Sequence, residues 1–200
     1  MRRENYLDGQ QQQIEVLTGT QDKDEKKQLF HFYAENKLEQ AKINEVMKKY
    51  PARITPFLKK LAATSEAIRK QYLPSPDETI TQGTETPFEE GKKSSKTYGL
   101  ERLYRDRVLL TPHFDCPAYC RFCYKKSRVM RGKRGMTLKE IDKAVEEIGR
   151  MEEVRGVLIT GGEPLMDQKK LFYLLSGVSA LENISEIRLG TRCLLTRPEI

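Results

Sequence analysis

The sequence contains no long apolar run. In its second half the longest unbroken hydrophobic stretch is only a few residues, which excludes a membrane-spanning helix there. The opening segment, Met1 to Gln10, lacks the apolar centre of a secretory signal, so export is not expected. Cysteine is scarce: there are four in 200 residues, and three of them are clustered. That usage does not build a disulfide framework; it fits a metal site in a reducing cytoplasm. No internal repeat is present. A hydrophobic content of 38% and a charged content of 32% describe a water-soluble chain with a lean core, long enough for one or two domains.

The net charge of +7 raises the question of nucleic acid. Much of the excess is local, in Arg121, Lys125, Lys126, Arg128, Arg131, Lys133 and Arg134. Neither an aromatic stacking pattern nor a recognised reader motif accompanies this run, so nucleic-acid binding is not favoured. Two readings remain: a solvated basic loop, or a loop that balances a nearby negative group and captures anions.

Residues 22–50 read as helix, and 55–71 as a second helix with Phe57, Leu58, Leu61 and Ile68 at helical spacing. The segment from Leu73 to Lys96 is rich in Pro, Gly, Thr, Ser and Lys and reads as an extended connection. The pattern then changes. Val108–Thr111, Gly156–Thr160 and Glu186–Gly190 are short strand-like runs. Between them lie two amphipathic stretches, one opened by the capping-box pair Thr137 and Glu140, the other by Asp167. Strand, helix, strand, helix, strand is the pattern of a parallel α/β sheet. We therefore expect a helical amino-terminal region with a linker over residues 1–100, and the first half of a partial parallel (β/α) barrel over 101–200. Three strands cannot close a barrel, so the chain reads as the front of a longer protein, and residues 1–200 alone are expected to be inactive.

The chemically distinctive residues each follow a strand. After the first comes Cys116-Pro-Ala-Tyr-Cys120-Arg-Phe-Cys123; after the second, Gly161-Gly162-Glu163-Pro164; after the third, Gly190-Thr191-Arg192. In barrel-type α/β folds these loops share the face where active sites form, so the three segments should converge. Three thiolates in this spacing can hold three irons of a [4Fe-4S] cluster and leave one iron without a protein ligand, open to chemistry. Structural zinc, with His113 or Cys193 as fourth ligand, is the competitor, but neither paired C-x-x-C motifs nor a Cys/His quartet is present. His113 otherwise reads as a strand-end residue, and Cys193 as a small buried hydrophobe.

This cysteine spacing resembles that of the radical S-adenosylmethionine (SAM) superfamily, and Gly161-Gly162-Glu163 resembles that superfamily's GGE motif. Within it the chain is similar to the lysine 2,3-aminomutase family over roughly residues 50–200, through Ile54-Thr-Pro-Phe57, Tyr104-Arg-Asp-Arg-Val108, Cys120-Arg-Phe-Cys123 and Ile187-Arg-Leu-Gly-Thr-Arg192. The resemblance implies that SAM chelates the open iron and is cleaved to a 5′-deoxyadenosyl radical, and that pyridoxal 5′-phosphate (PLP) assists migration of an amino group between adjacent carbons of an amino acid. It further implies that Phe122 packs near adenine, with core packing as the alternative. Gly161, Gly162, Glu163, Thr191 and Arg192 would lie on the SAM side, and Arg107 would face the PLP phosphate. Lys125 stands at the family's substrate-carboxylate arginine, and Leu103 at a second phosphate-side arginine. An electron donor such as flavodoxin or ferredoxin, and assembly into a homo-oligomer, are the partners such an enzyme suggests. A family member without PLP, acting on another substrate, is the alternative reading.

Overall fold

The computed structural model describes residues 37–79, 95–130, 132 and 134–199; the expected helical residues 22–36 and most of the linker lie outside these. The chain divides into two compact units. One comprises residues 1–83 with 118–123, the other 84–117 with 124–200.

In the first unit, α1 (Lys37–Lys49) is followed by α2 (Pro56–Thr64), α3 (Glu66–Tyr72) and a 3-10 turn (Pro76–Thr79). Thr55 caps α2 by accepting the Leu58 N–H at 3.2 Å, and Pro56 occupies the first turn, where its missing N–H costs nothing. The single helix read over 55–71 is in fact two. Ser65 is extended (φ −118°, ψ 112°), closes α2 by donating its N–H to Leu61, and opens α3 by accepting the Ile68 N–H on its hydroxyl. The apolar spacing continues across this break, which hides it from a periodicity argument; the polar cap is what sets it.

The second unit is built on a four-stranded sheet, β1 (Leu100–Tyr104), β2 (Arg107–Leu110), β3 (Gly156–Ile159) and β4 (Glu186–Leu189), in that order. β1 is antiparallel to β2, whereas β2, β3 and β4 are parallel, with Arg107, Gly156 and Glu186 in register at their starts. After β2 comes the short helix α4 (Lys126–Val129). The crossovers carry α5 (Leu138–Gly149) and α6 (Gln168–Ser179), which pack on each other, and α7 (Cys193–Thr196) follows β4. Ile141, Ala144 and Ile148 of α5 and Leu171, Leu174 and Val178 of α6 bury one face each against Val108, Leu110, Val157 and Ile159. A Cβ on Gly177 would lie 3.1 Å from Val145, so the bare glycine is what lets the two helices approach. Beyond α5, the Asn183 amide donates to the carbonyls of Ile148, Met151 and Val154 at 3.1–3.3 Å, closing the helix end and the turn into β3.

This is the α/β fold with a partial parallel sheet that the strand–helix alternation implied. The antiparallel β1 was not anticipated. It turns into β2 at Asp106, whose carbonyl accepts from Arg155 and Gly156, and Arg102 and Arg105 are tied to Glu153 on the neighbouring turn. No helix among the described residues is long and apolar enough to cross a membrane.

The start of α5 yields a test. Thr137 accepts the Glu140 N–H at 3.2 Å, while Glu140 accepts the Thr137 N–H at 2.8 Å and is clamped by Arg134. The Arg134 hydrogen bond, with the capping-box contacts, holds the Glu140 carboxyl down from 4.5 to about 2. A carboxyl lowered on folding stabilises above its unfolded pKa and loses that contribution as pH falls through the folded one. The Thr137→Ala variant should lose about 1 kcal/mol in urea titrations near neutrality. Glu140→Gln should be less stable than wild type above about pH 4.5, with the gap closing toward about pH 2.

Candidate functional site

Beyond β2 the chain runs Thr111-Pro-His113-Phe-Asp115 into Cys116. His113 is buried, and its Nδ1 accepts the Asp115 N–H at 3.2 Å. Its Nε2 is buried with no hydrogen-bond partner among the described residues. The loop after β3 lies directly on this segment. Gly162 donates to the His113 carbonyl at 2.8 Å and Glu163 to the Asp115 carbonyl at 2.7 Å. A Cβ on Gly162 would sit 2.3 Å from the Asp115 oxygen, and one on Gly161 (φ +123°) 2.5 Å from Thr111 Cγ2. The glycine pair is thus required by contact between two loops as well as by the turn itself.

Glu163 is 5% exposed, and every donor around it is internal. Its Oε1 accepts from the Leu165 N–H (3.2 Å) and the Thr191 hydroxyl (2.7 Å), and its Oε2 from the Arg192 N–H (2.7 Å). Burial first, and then the Glu163 charge, push the Cys193 thiol up. Thr191 in turn accepts the Cys193 N–H at 3.1 Å. Within this unit the three loops do converge: the segment leading to Cys116 pairs with the Gly161–Glu163 loop, which Glu163 joins to Thr191 and Arg192. Sequence reasoning set Cys193 aside as a small hydrophobe. It is buried as expected, and its backbone N–H donates to Thr191, the residue whose hydroxyl holds Glu163.

The cysteine segment continues into the first unit. There the Tyr119 N–H donates to the Arg53 carbonyl (2.8 Å), the Arg121 N–H to the Gln71 carbonyl (2.7 Å), and the Cys123 N–H closes a turn on the Cys120 carbonyl (3.1 Å). Cys116, Cys120 and Cys123 are each partly exposed, and none is in a disulfide. Phe122 is 59% exposed. Among the described residues no three His, Cys, Asp or Glu side chains are gathered tightly enough to share one metal ion. A cluster makes no such demand, because each thiolate takes a separate iron. Three soft sulfur donors also suit iron–sulfur chemistry better than any oxygen-seeking cation.

Comparison with known proteins agrees with this donor set, for residues 110–200 match the family model described as the radical SAM superfamily. Over these residues the chain is similar to the radical SAM superfamily. An Aquifex aeolicus protein provisionally named an L-lysine 2,3-aminomutase is 38% identical over 157 residues, 75% of this chain and 42% of that protein. The L-lysine 2,3-aminomutase of Fusobacterium nucleatum is 33% identical over 66% of this chain and 32% of its own length. The glutamate 2,3-aminomutase of Clostridioides difficile is 31% identical over 50% of this chain and 24% of its own length. The chain thus spans well under half the length of these relatives.

Three cations of the basic run have carboxylate partners. Arg121 is buried and paired with Glu78 (2.9 Å); Arg128 is paired with Glu101 (3.0 Å) and lies over the Phe114 ring; Arg134 is paired with Glu140 (2.8 Å) and lies over Tyr98. Arg131 and Lys133 lie outside the described residues. Lys125 is buried, with its ammonium 5.5 Å from the centre of the Tyr124 ring. Cations committed in this way do not form an array that tracks a phosphate backbone. Arg107 is not brought to the Glu163 loop. It opens β2, at the opposite end of the parallel strands, and its buried Nε lacks a hydrogen-bond partner among the described residues. The Leu103 side chain lies outside the described residues.

The loop contact is testable. Gly162→Ala must force apart a pair of backbones that are hydrogen-bonded to each other, and we expect a loss of about 1–3 kcal/mol in urea unfolding, against near neutrality for Gly132→Ala, whose Cβ meets nothing within 4 Å though its φ of +59° adds some strain.

Proposed function

We propose that this protein is a radical SAM enzyme of the 2,3-aminomutase type, acting on the amino group of an amino acid. The observation that carries the proposal is the C-x-x-x-C-x-x-C run leaving the carboxyl end of β2, with the Gly161–Glu163 loop laid on the segment that leads into it. When bound, a [4Fe-4S] cluster with SAM supplies a 5′-deoxyadenosyl radical, and PLP supplies a π-system that delocalises an unpaired electron.

Cys116, Cys120 and Cys123 each provide one thiolate. Glu163 acts as a positioning residue. Its carboxylate accepts from the Leu165 N–H, the Thr191 hydroxyl and the Arg192 N–H, which fixes the Gly161–Glu163 loop that would face the amino group of SAM. Phe122, exposed beside Cys123, offers a ring face to adenine, and Thr191 and Arg192 flank the same face of their unit. Lys125 carries a single point charge suited to a substrate carboxylate, without the bidentate grip of an arginine. Arg107, which the resemblance puts at the PLP phosphate, opens β2 at the opposite end of the parallel strands, so we assign it no part in this site. An external low-potential donor such as flavodoxin or ferredoxin, in a reducing cytoplasm, would provide the electron.

The relatives named for lysine and for glutamate share an α-amino acid substrate, and that class is what we assign. Leu103 and Lys125, which replace two family arginines, support a second reading: a radical SAM enzyme of the same family that has dispensed with PLP. Co-purification of PLP, detected by its absorbance, distinguishes the two.

Anaerobic reconstitution of the full-length protein should give about four irons per chain, with an EPR signal that changes when SAM is added and reductive release of 5′-deoxyadenosine with dithionite. Cys120→Ala should abolish all three. A wild-type protein that binds iron but never cleaves SAM would overturn the assignment.

A further inference from the structure

The turn that carries two of the three cysteines is held by a buried ion pair that no part of the proposed chemistry requires. Arg121 lies between Cys120 and Cys123 and is 4% exposed. Its Nε and Nη2 donate to the two oxygens of Glu78, both at 2.9 Å; Nη1 donates to the Pro51 carbonyl (2.9 Å) and Nη2 also to the Tyr50 carbonyl (3.0 Å). Four of the five guanidinium N–H directions are thereby used, and the Glu78 side chain is itself only 11% exposed. The backbone N–H groups of Tyr119 and Arg121 add two bonds to Arg53 and Gln71. Glu78 is further placed by accepting the Ser75 N–H at 3.1 Å, at the start of the 3-10 turn.

A buried pair of this kind contributes little net stability, because desolvation offsets the attraction. What it does well is hold one geometry. Its geometry here is that of a ligand turn. The pair also neutralises the Arg121 charge, so that arginine does not balance the negative charge of the cluster.

We propose that Glu78 is a positioning residue for the iron–sulfur cluster, acting through Arg121 to hold the Cys120–Cys123 turn in its iron-binding conformation. The proposal rests on the cluster assignment above. It makes the helical unit the mould for two of the three ligands, and it couples cluster retention to the fold of residues 50–78.

The test uses full-length protein, reconstituted anaerobically as wild type, Glu78→Gln and Glu78→Asp. Glu78→Gln should lose iron to a chelator about ten-fold faster or more, as outer-shell substitutions at metal sites do. It should also raise the reduction potential of whatever cluster remains, because the Arg121 charge is no longer cancelled, and shrink the rise in Tm that cluster loading produces. Glu78→Asp, which keeps the charge, should recover part of each effect. Equal Tm losses with and without cluster, at an unchanged potential and chelator rate, would show a merely structural role and overturn the proposal. Failure of the wild type to take up iron would instead overturn the cluster assignment, and this proposal with it.

Discussion

A carboxylate taken out of water must be given hydrogen-bond donors, and the arrangement of this site follows from how Glu163 receives them. Its donors come from its own 3-10 turn and from the loop after β4, while its backbone N–H reaches the segment after β2. Hydrogen bonds to a charged group contribute about 1.5–3 kcal/mol each, and an unsatisfied buried charge costs more. Moving any one loop would strand the carboxylate. Three strand ends are thereby held together by one residue, in a unit whose sheet continues no further than β4 among the described residues. The two glycines before Glu163 complete the constraint, because no other residue lets these backbones come so close.

The same economy governs positive charge. A run of lysines and arginines beside three cysteines suggests an open anion site, yet Arg121, Arg128 and Arg134 each have a carboxylate partner, and two of them also cover an aromatic ring. Pairing these three cations fixes the local chain.

Some of this was legible in the sequence for physical reasons. Thr137 and Glu140 form the capping box their spacing implied, and Asp167 caps α6, because caps are local interactions between residues a few positions apart. The parallel strands were visible as short apolar runs bounded by turns. Ser65 was not, since the apolar stripe of α2 runs past it into α3. Neither was β1, whose Leu100-Glu-Arg-Leu-Tyr104 pattern acquires strand character only by pairing with β2. The least legible contacts were long-range and polar: Glu78 with Arg121, Asn183 with three carbonyls, and Glu163 with Thr191 and Arg192. Each joins residues about 30 or more positions apart, and no periodicity announces such a pairing. The cysteine spacing suggests the chemistry by itself; the loops that would receive SAM could be named from sequence, but not the carboxylate network that binds them together.

The central claim is that Cys116, Cys120 and Cys123 hold a cluster with one iron left for SAM. Mössbauer spectroscopy of the full-length protein loaded with iron-57 tests it most directly. The account predicts that adding SAM changes the signal of a single iron and leaves the three thiolate-bound irons as they were. A cluster whose irons are all indifferent to SAM would contradict it.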